Sequence, residues 1–167
     1  DANTNPWGYK FSWSPRAVVM AGRNPARYLR GGAEVSVAGE ELFAHSWPLG
    51  IEGLGVFEVY PNRDSLAYVG LYGLAGADDV FRGTLRYPGW CATMLAVARL
   101  GLLEIEEEEW SEEMTYRELL TRRVPGGRAR GATRRVAEFL GLDSDSDVIA
   151  RLEWAGLFSD RPLPDRK

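Results

Sequence analysis

The sequence predicts an α+β fold: a mixed β-sheet with flanking helices over residues 1–103, then an acidic connector and small helical subdomain over 104–167. Three observations carry this. Before Leu103, short alternating runs such as "AEVSV" and "RGTLRY" intermix with short helical runs. The segment "EIEEEEWSEE" then packs seven Glu into residues 104–113, as a solvated face or connector does. Beyond it, apolar residues recur only at helical spacing.

Each element follows local grammar. Ser14-Pro15-Arg16 begins a helix, with Ser as cap and Pro at the first helical position. Asn24-Pro25 repeats that grammar and predicts a restarted helix through Tyr28 and Leu29, stopped by Gly31-Gly32. "AEVSV" reads as a strand and "EELFA" as one helical turn. "PLGIEGLGVFEVYPN" reads as a glycine-containing loop leading into a strand that ends near Tyr60. Asp64 or Ser65 caps a short helix closed by Gly73, and "GWCATMLAVARLG" is a helix apolar on nearly all sides, hence buried. In the second part, Thr115 and Glu118 form a capping box, Val136 to Leu140 mark a helix stopped by Gly141, and "DSDSD" caps a third helix.

At 45% apolar and 11% aromatic residues, the 167-residue chain has the material for a real core. A net charge of −4 gives the chain as a whole no attraction for nucleic acid or an anionic membrane, and no apolar stretch is long enough to span one. The single cysteine, Cys91, excludes an internal disulfide; with one histidine, His45, it makes a His/Cys zinc site untenable, and no metal is expected. Cys91 lies in the apolar helical run, where a buried thiol is the ordinary reading. The chain opens on "DANTNP" without Met or signal peptide and reads as a cytoplasmic piece of a longer protein.

The residues with chemical interest are arginines. Of 20 basic residues 18 are Arg, a bias that codon usage explains, so position matters more than number. Read with period two, one face of residues 80–86 carries Val80, Arg82, Thr84 and Arg86, yet no acid occurs between Asp79 and Glu104. Such arginines either pair with distant carboxylates of the fold or bind carboxylates from outside, which their planar fork suits. Arg63 sits in the turn "YPNRDS", where a surface pair with the adjacent Asp64 is the bland reading. Trp13 and Arg16 flank a helix N-terminus, where plain capping competes with anion binding. "GIEGLG" has the wrong spacing for a dinucleotide fingerprint and precedes a strand rather than following one.

Taken in order, "NPWGYKFSWSPR", "YPNRDS", "RGTLRYPGW" and "LEWAGLFSD" resemble the saccharopine dehydrogenases, the glutamate-forming saccharopine reductases in particular. The similarity runs over nearly the whole chain but covers only part of such an enzyme, whose N-terminal Rossmann domain has no counterpart here. The resemblance implies NADP- or NAD-linked hydride transfer interconverting saccharopine with glutamate and aminoadipate semialdehyde, in a homodimer. It also implies substrate contacts at Trp13, Arg63, Thr84, Leu85 and Arg86, with Ser14, Pro15 and Arg16 touching the cofactor. Ala17 stands where relatives commonly have Gly. Arg82 is not marked by the resemblance and reads as structural. No catalytic residue is assigned, and the chain alone is expected to be inactive. Related imine reductases acting on carboxynorspermidine or homospermidine, and a non-catalytic ligand-binding or dimerisation module, are the rival readings. Fewer carboxylates on the substrate would leave Arg63 or Arg86 without a partner.

Overall fold

Two glycines at positive φ, Gly31 (56°) and Gly32 (75°), turn the chain between two five-residue strands, β1 (Ala26–Arg30) and β2 (Ala33–Val37). Both central turn positions need the left-handed region, which glycine enters without a Cβ penalty. The strands pair antiparallel from Ala26↔Val37 to Arg30↔Ala33. This corrects the helix expected after Asn24-Pro25: Pro25 precedes a strand. The computed structural model describes residues 4–10, 14–104, 113–126 and 131–164. Most of the acidic run, residues 105–112, lies outside them.

The chain forms two compact units, Asp1–Leu95 and Ala96–Lys167, and the division falls within a helix. In the first, α1 (Pro15–Met20) starts as expected, its Ser14 hydroxyl accepting from the Ala17 N–H at 3.3 Å. A second sheet has the order β3-β4-β5, with β3 (Trp47–Ile51), β4 (Gly55–Pro61) and β5 (Gly83–Arg86) all antiparallel. β3 was not expected, since "WPLGI" carries both Pro and Gly; as an edge strand it tolerates Pro48. Between β4 and β5, α2 (Ala67–Leu71) is closed by Gly73 at φ 66°. β1 joins the end of β4 through a parallel bridge, Arg27↔Asp64, and reaches Val80 through an antiparallel one at Leu29. The core of this unit gathers Val18, Tyr28, Leu42, Phe43, Val59 and Met94.

The helix at the division, α3 (Trp90–Arg99), carries the buried residues Trp90, Cys91, Met94, Ala96 and Val97. The second unit continues with α4 (Tyr116–Arg123), α5 (Ala132–Leu140) and α6 (Asp147–Trp154), with no named strand among its described residues. The capping box forms as expected: Glu118 N–H donates to the Thr115 hydroxyl, and Thr115 N–H to the Glu118 carboxylate. Leu120, Val136, Ile149 and Leu152 supply the core. Buried Arg135 donates to the carbonyls of Thr121 and Val124, both at 2.9 Å, and so satisfies the end of α4.

Candidate functional site

Strand β5 settles which way the arginine face points. Thr84 and Arg86 are half-buried, whereas Leu85 is 40% exposed, so the polar face is the better covered one. It looks into a cavity of about 780 Å³ whose lining includes Tyr60, Arg63, Arg82, Thr84 and Arg86. The alternation of the strand turns Leu85 away, into a smaller cavity of about 210 Å³ beside Phe57 and Tyr87. Of the expected substrate contacts, then, Arg63, Thr84 and Arg86 come together and the Leu85 side chain does not. Trp13 lies outside the described residues.

The arginines of the cavity stay unneutralised because the nearest acids are engaged elsewhere. Glu58 stands directly opposite Arg86 across the β4–β5 ladder. Its carboxylate accepts instead from the N–H groups of Gly89 (2.8 Å) and Cys91 (2.9 Å), at the start of α3. Asp64 follows Arg63 in the chain, yet it pairs with Arg27 at 3.3 Å and accepts from the Leu66 N–H at 2.9 Å. Among the described residues, no ion pair joins Arg63, Arg82 or Arg86 to a carboxylate. The surface pair expected for Arg63 and Asp64 is therefore replaced by Arg27 and Asp64.

Arg86 is held by rings rather than by charge. Its guanidinium lies 5.0 Å from the ring centre of Tyr9, 5.3 Å from that of Trp90 and 5.9 Å from that of Tyr60. Aromatic faces attract the cation and leave its N–H edge available. One edge nitrogen, Nη1, donates to the Leu85 carbonyl at 2.9 Å, while Nε is buried with no hydrogen-bond partner among the described residues, as are the Nε atoms of Arg123 and Arg135. Burial pushes the Tyr60 hydroxyl above its ordinary range, with the Arg86 charge opposing, so the phenol stays neutral beside the cation.

Arg63 is the one non-glycine described residue at positive φ, 59°. The conformation is held from both sides: the Arg63 carbonyl accepts from the Arg27 N–H at 3.0 Å, and the Ser65 N–H donates to the Arg27 carbonyl at 2.7 Å. An arginine held there costs energy that a glycine would not, a cost that marks functional positions. Ser14, Pro15 and Arg16 are exposed at the start of α1, while Ala17 and Val18 of that helix line the cavity. Ser14 to Arg16 thus form an open edge rather than an enclosed cradle. Among the described residues no cluster of His, Cys, Asp and Glu could hold a metal, and no helix is long and apolar enough to cross a membrane. Cys91 is buried, its thiol pushed up to about 12 by burial first and by the Glu58 charge second.

Among the described residues, then, three arginines without an ion pair to a carboxylate line one cavity of an α+β unit. The family described as "Saccharopine dehydrogenase C-terminal domain" matches residues 1–163, and the chain belongs to that family. It is 34% identical to the NADP(+)-dependent, L-glutamate-forming saccharopine dehydrogenase of Pyricularia oryzae, over 99% of this chain and 38% of that protein. It is 36% identical to the mitochondrial alpha-aminoadipic semialdehyde synthase of Rattus norvegicus, over 96% of this chain and 18% of that protein. The structure matches apo saccharopine dehydrogenase (L-Glu forming) from Saccharomyces cerevisiae with a TM-score of 0.80 at 33% identity, over 97% of this chain and 38% of that one. The chain therefore spans about two fifths or less of the length of these relatives.

Proposed function

We propose that this chain is the substrate-holding part of a saccharopine dehydrogenase, an oxidoreductase that interconverts saccharopine with glutamate and aminoadipate semialdehyde. One observation supports the reading above others: Arg63, Thr84 and Arg86 share one cavity in which no described carboxylate neutralises the arginines. Saccharopine carries three carboxylates around a secondary amine, so its recognition needs several cations aimed inward. A nicotinamide cofactor supplies or accepts the hydride when bound, and NADP(+) is the one named for the fungal relative. This chain's residues do the rest. Arg63 and Arg86 take carboxylates, the Thr84 hydroxyl donates to one of them, and together they orient the ligand for hydride transfer. Ser14, Pro15 and Arg16 touch the cofactor from this side. The reading includes a homodimer. Leu49, Leu85 and Tyr87, each between 37% and 40% exposed, offer apolar surface on the side of the β3-β4-β5 sheet away from the cavity.

The test uses the full-length enzyme. Arg86, half-buried among rings, is one partner of a partly desolvated charge pair, whose loss costs roughly 2–5 kcal/mol. At about 1.4 kcal/mol per tenfold, kcat/KM for saccharopine falls roughly 30-fold to several thousand-fold in Arg86→Ala, and by less in Arg63→Ala, whose arginine is exposed. Arg86→Lys recovers part of this. If both alanine variants lose melting temperature and keep their kinetics, the arginines serve the fold and the reading fails.

A further inference from the structure

On the sequence Arg82 reads as a structural residue. We propose instead that Arg82 is a third carboxylate-binding residue of the cavity, holding a carboxylate at the opposite end of the ligand from the one held by Arg86. The proposal rests on the functional reading above.

Arg82 is exposed and borders two cavities, the one lined by Arg63, Thr84 and Arg86 and a second of about 400 Å³ lined by Tyr68. Its main chain is fixed on both sides. The Arg82 N–H donates to the buried Ser65 hydroxyl at 2.9 Å, and the Arg82 carbonyl accepts from the Asn62 N–H at 2.9 Å, which prolongs the β4–β5 pairing beyond Gly83. The guanidinium is tethered by a neutral group. Nη1 donates to the Tyr68 hydroxyl at 2.9 Å, and the cation lies 5.6 Å from the Tyr68 ring centre. A phenol orients the fork without cancelling its charge, and most of the five N–H donors remain. Arg30, like Arg82, lies over aromatic rings, while other arginines are engaged differently. Arg27 and Arg117 reach carboxylates, and buried Arg135 reaches main-chain carbonyls. Arg82 meets neither among the described residues.

The spacing fits the ligand. At about 3.3 Å per residue, the Cα atoms of Arg82 and Arg86 are roughly 13 Å apart along the strand, with Thr84 between them. Saccharopine is an extended molecule with two carboxylates on its glutamate half and one at the far end of its lysine-derived half. A single arginine cannot serve both ends, and two at this separation can.

The experiment compares Arg82→Ala with Arg86→Ala in the full-length enzyme against saccharopine and two analogues, as substrates or competitive inhibitors. One analogue lacks the carboxylate of the lysine-derived end, and the other lacks the side-chain carboxylate of the glutamate half. With saccharopine, Arg82→Ala weakens kcat/KM about tenfold, mainly through KM, the size expected for an exposed charge-assisted contact. With the analogue missing the carboxylate that Arg82 holds, the tenfold effect vanishes while the Arg86→Ala penalty persists; the other analogue keeps the Arg82 effect. An equal Arg82→Ala penalty on all three ligands marks a structural role and overturns the proposal, as does no penalty at all. If Arg86→Ala and Arg63→Ala are themselves silent towards saccharopine, the functional reading fails. If they are crippled and only Arg82→Ala is silent, the reading stands and the Arg82 assignment alone falls.

Discussion

Glu58 and Arg86 face each other across two paired strands, yet they form no ion pair, because the carboxylate is spent on the first N–H groups of α3. The arrangement serves two ends at once. The start of α3 gains a charge-assisted acceptor for donors that no helix can satisfy internally. Arg86 is left without an ion pair, walled by the Trp90 ring that the same anchored segment carries. Glu58→Ala is therefore expected to cost about 1.5–3 kcal/mol of stability, the range for hydrogen bonds to a charged group. Glu58→Gln keeps one acceptor oxygen and loses less. Denaturant midpoints of the two variants check the order, and an Ala variant as stable as the Gln variant contradicts it.

The strained turn at Arg63 separates stability from binding. At φ 59° glycine is unstrained and alanine is not, so Arg63→Gly should be more stable than Arg63→Ala by about 1 kcal/mol. Both remove the guanidinium, so both should lose saccharopine turnover to the same degree. A difference in thermal midpoint without a difference in kcat/KM is the expected signature. Equal midpoints argue that the backbone there is not strained.

The ring cage predicts a coupling. Tyr9→Leu keeps bulk but removes one of three faces beside Arg86. A cation–π contact of about 0.5–2 kcal/mol translates into a loss of about two- to thirtyfold in kcat/KM. Because Tyr9 acts through Arg86, the double variant Tyr9→Leu/Arg86→Ala should be no worse than Arg86→Ala alone. Additive losses in the double variant place Tyr9's effect elsewhere.

What the sequence disclosed depended on the range of the interactions involved. Caps and helix stops, such as Ser14, the Thr115–Glu118 box and Gly141, are settled within a few residues and were legible. Asn24-Pro25 was misread because Pro suits the start of a helix as well as the start of an edge strand. The Gly31-Gly32 pair between two strand-length runs was the stronger signal, since a two-residue glycine turn points to a hairpin. On β5 the period of two was plain, but not that the arginine face would be the covered one. That depends on Tyr9, Tyr60 and Trp90 meeting Arg86 from three separate segments. The freedom of the arginines likewise depends on distant partners: Arg27 for Asp64, and the start of α3 for Glu58.

Cys91 makes the last prediction, about pH. Burial holds its thiol up to about 12 in the fold, against about 8.5 for a free one. A raised acid keeps its proton in the native state while the unfolded chain gives its proton up. Stability is therefore intact below the ordinary thiol range and falls as pH climbs from there towards about 12. At about pH 9.5 the native protein should already have lost stability relative to pH 7, and Cys91→Ala should show a smaller loss. The same burial predicts that a thiol reagent at about pH 8 labels the native protein far more slowly than the denatured chain, because the thiolate is the reacting species. Denaturant midpoints at the two pH values, with labelling rates beside them, check both statements. Rapid native labelling together with a flat pH profile in the wild-type protein overturns the account of a buried, neutral thiol.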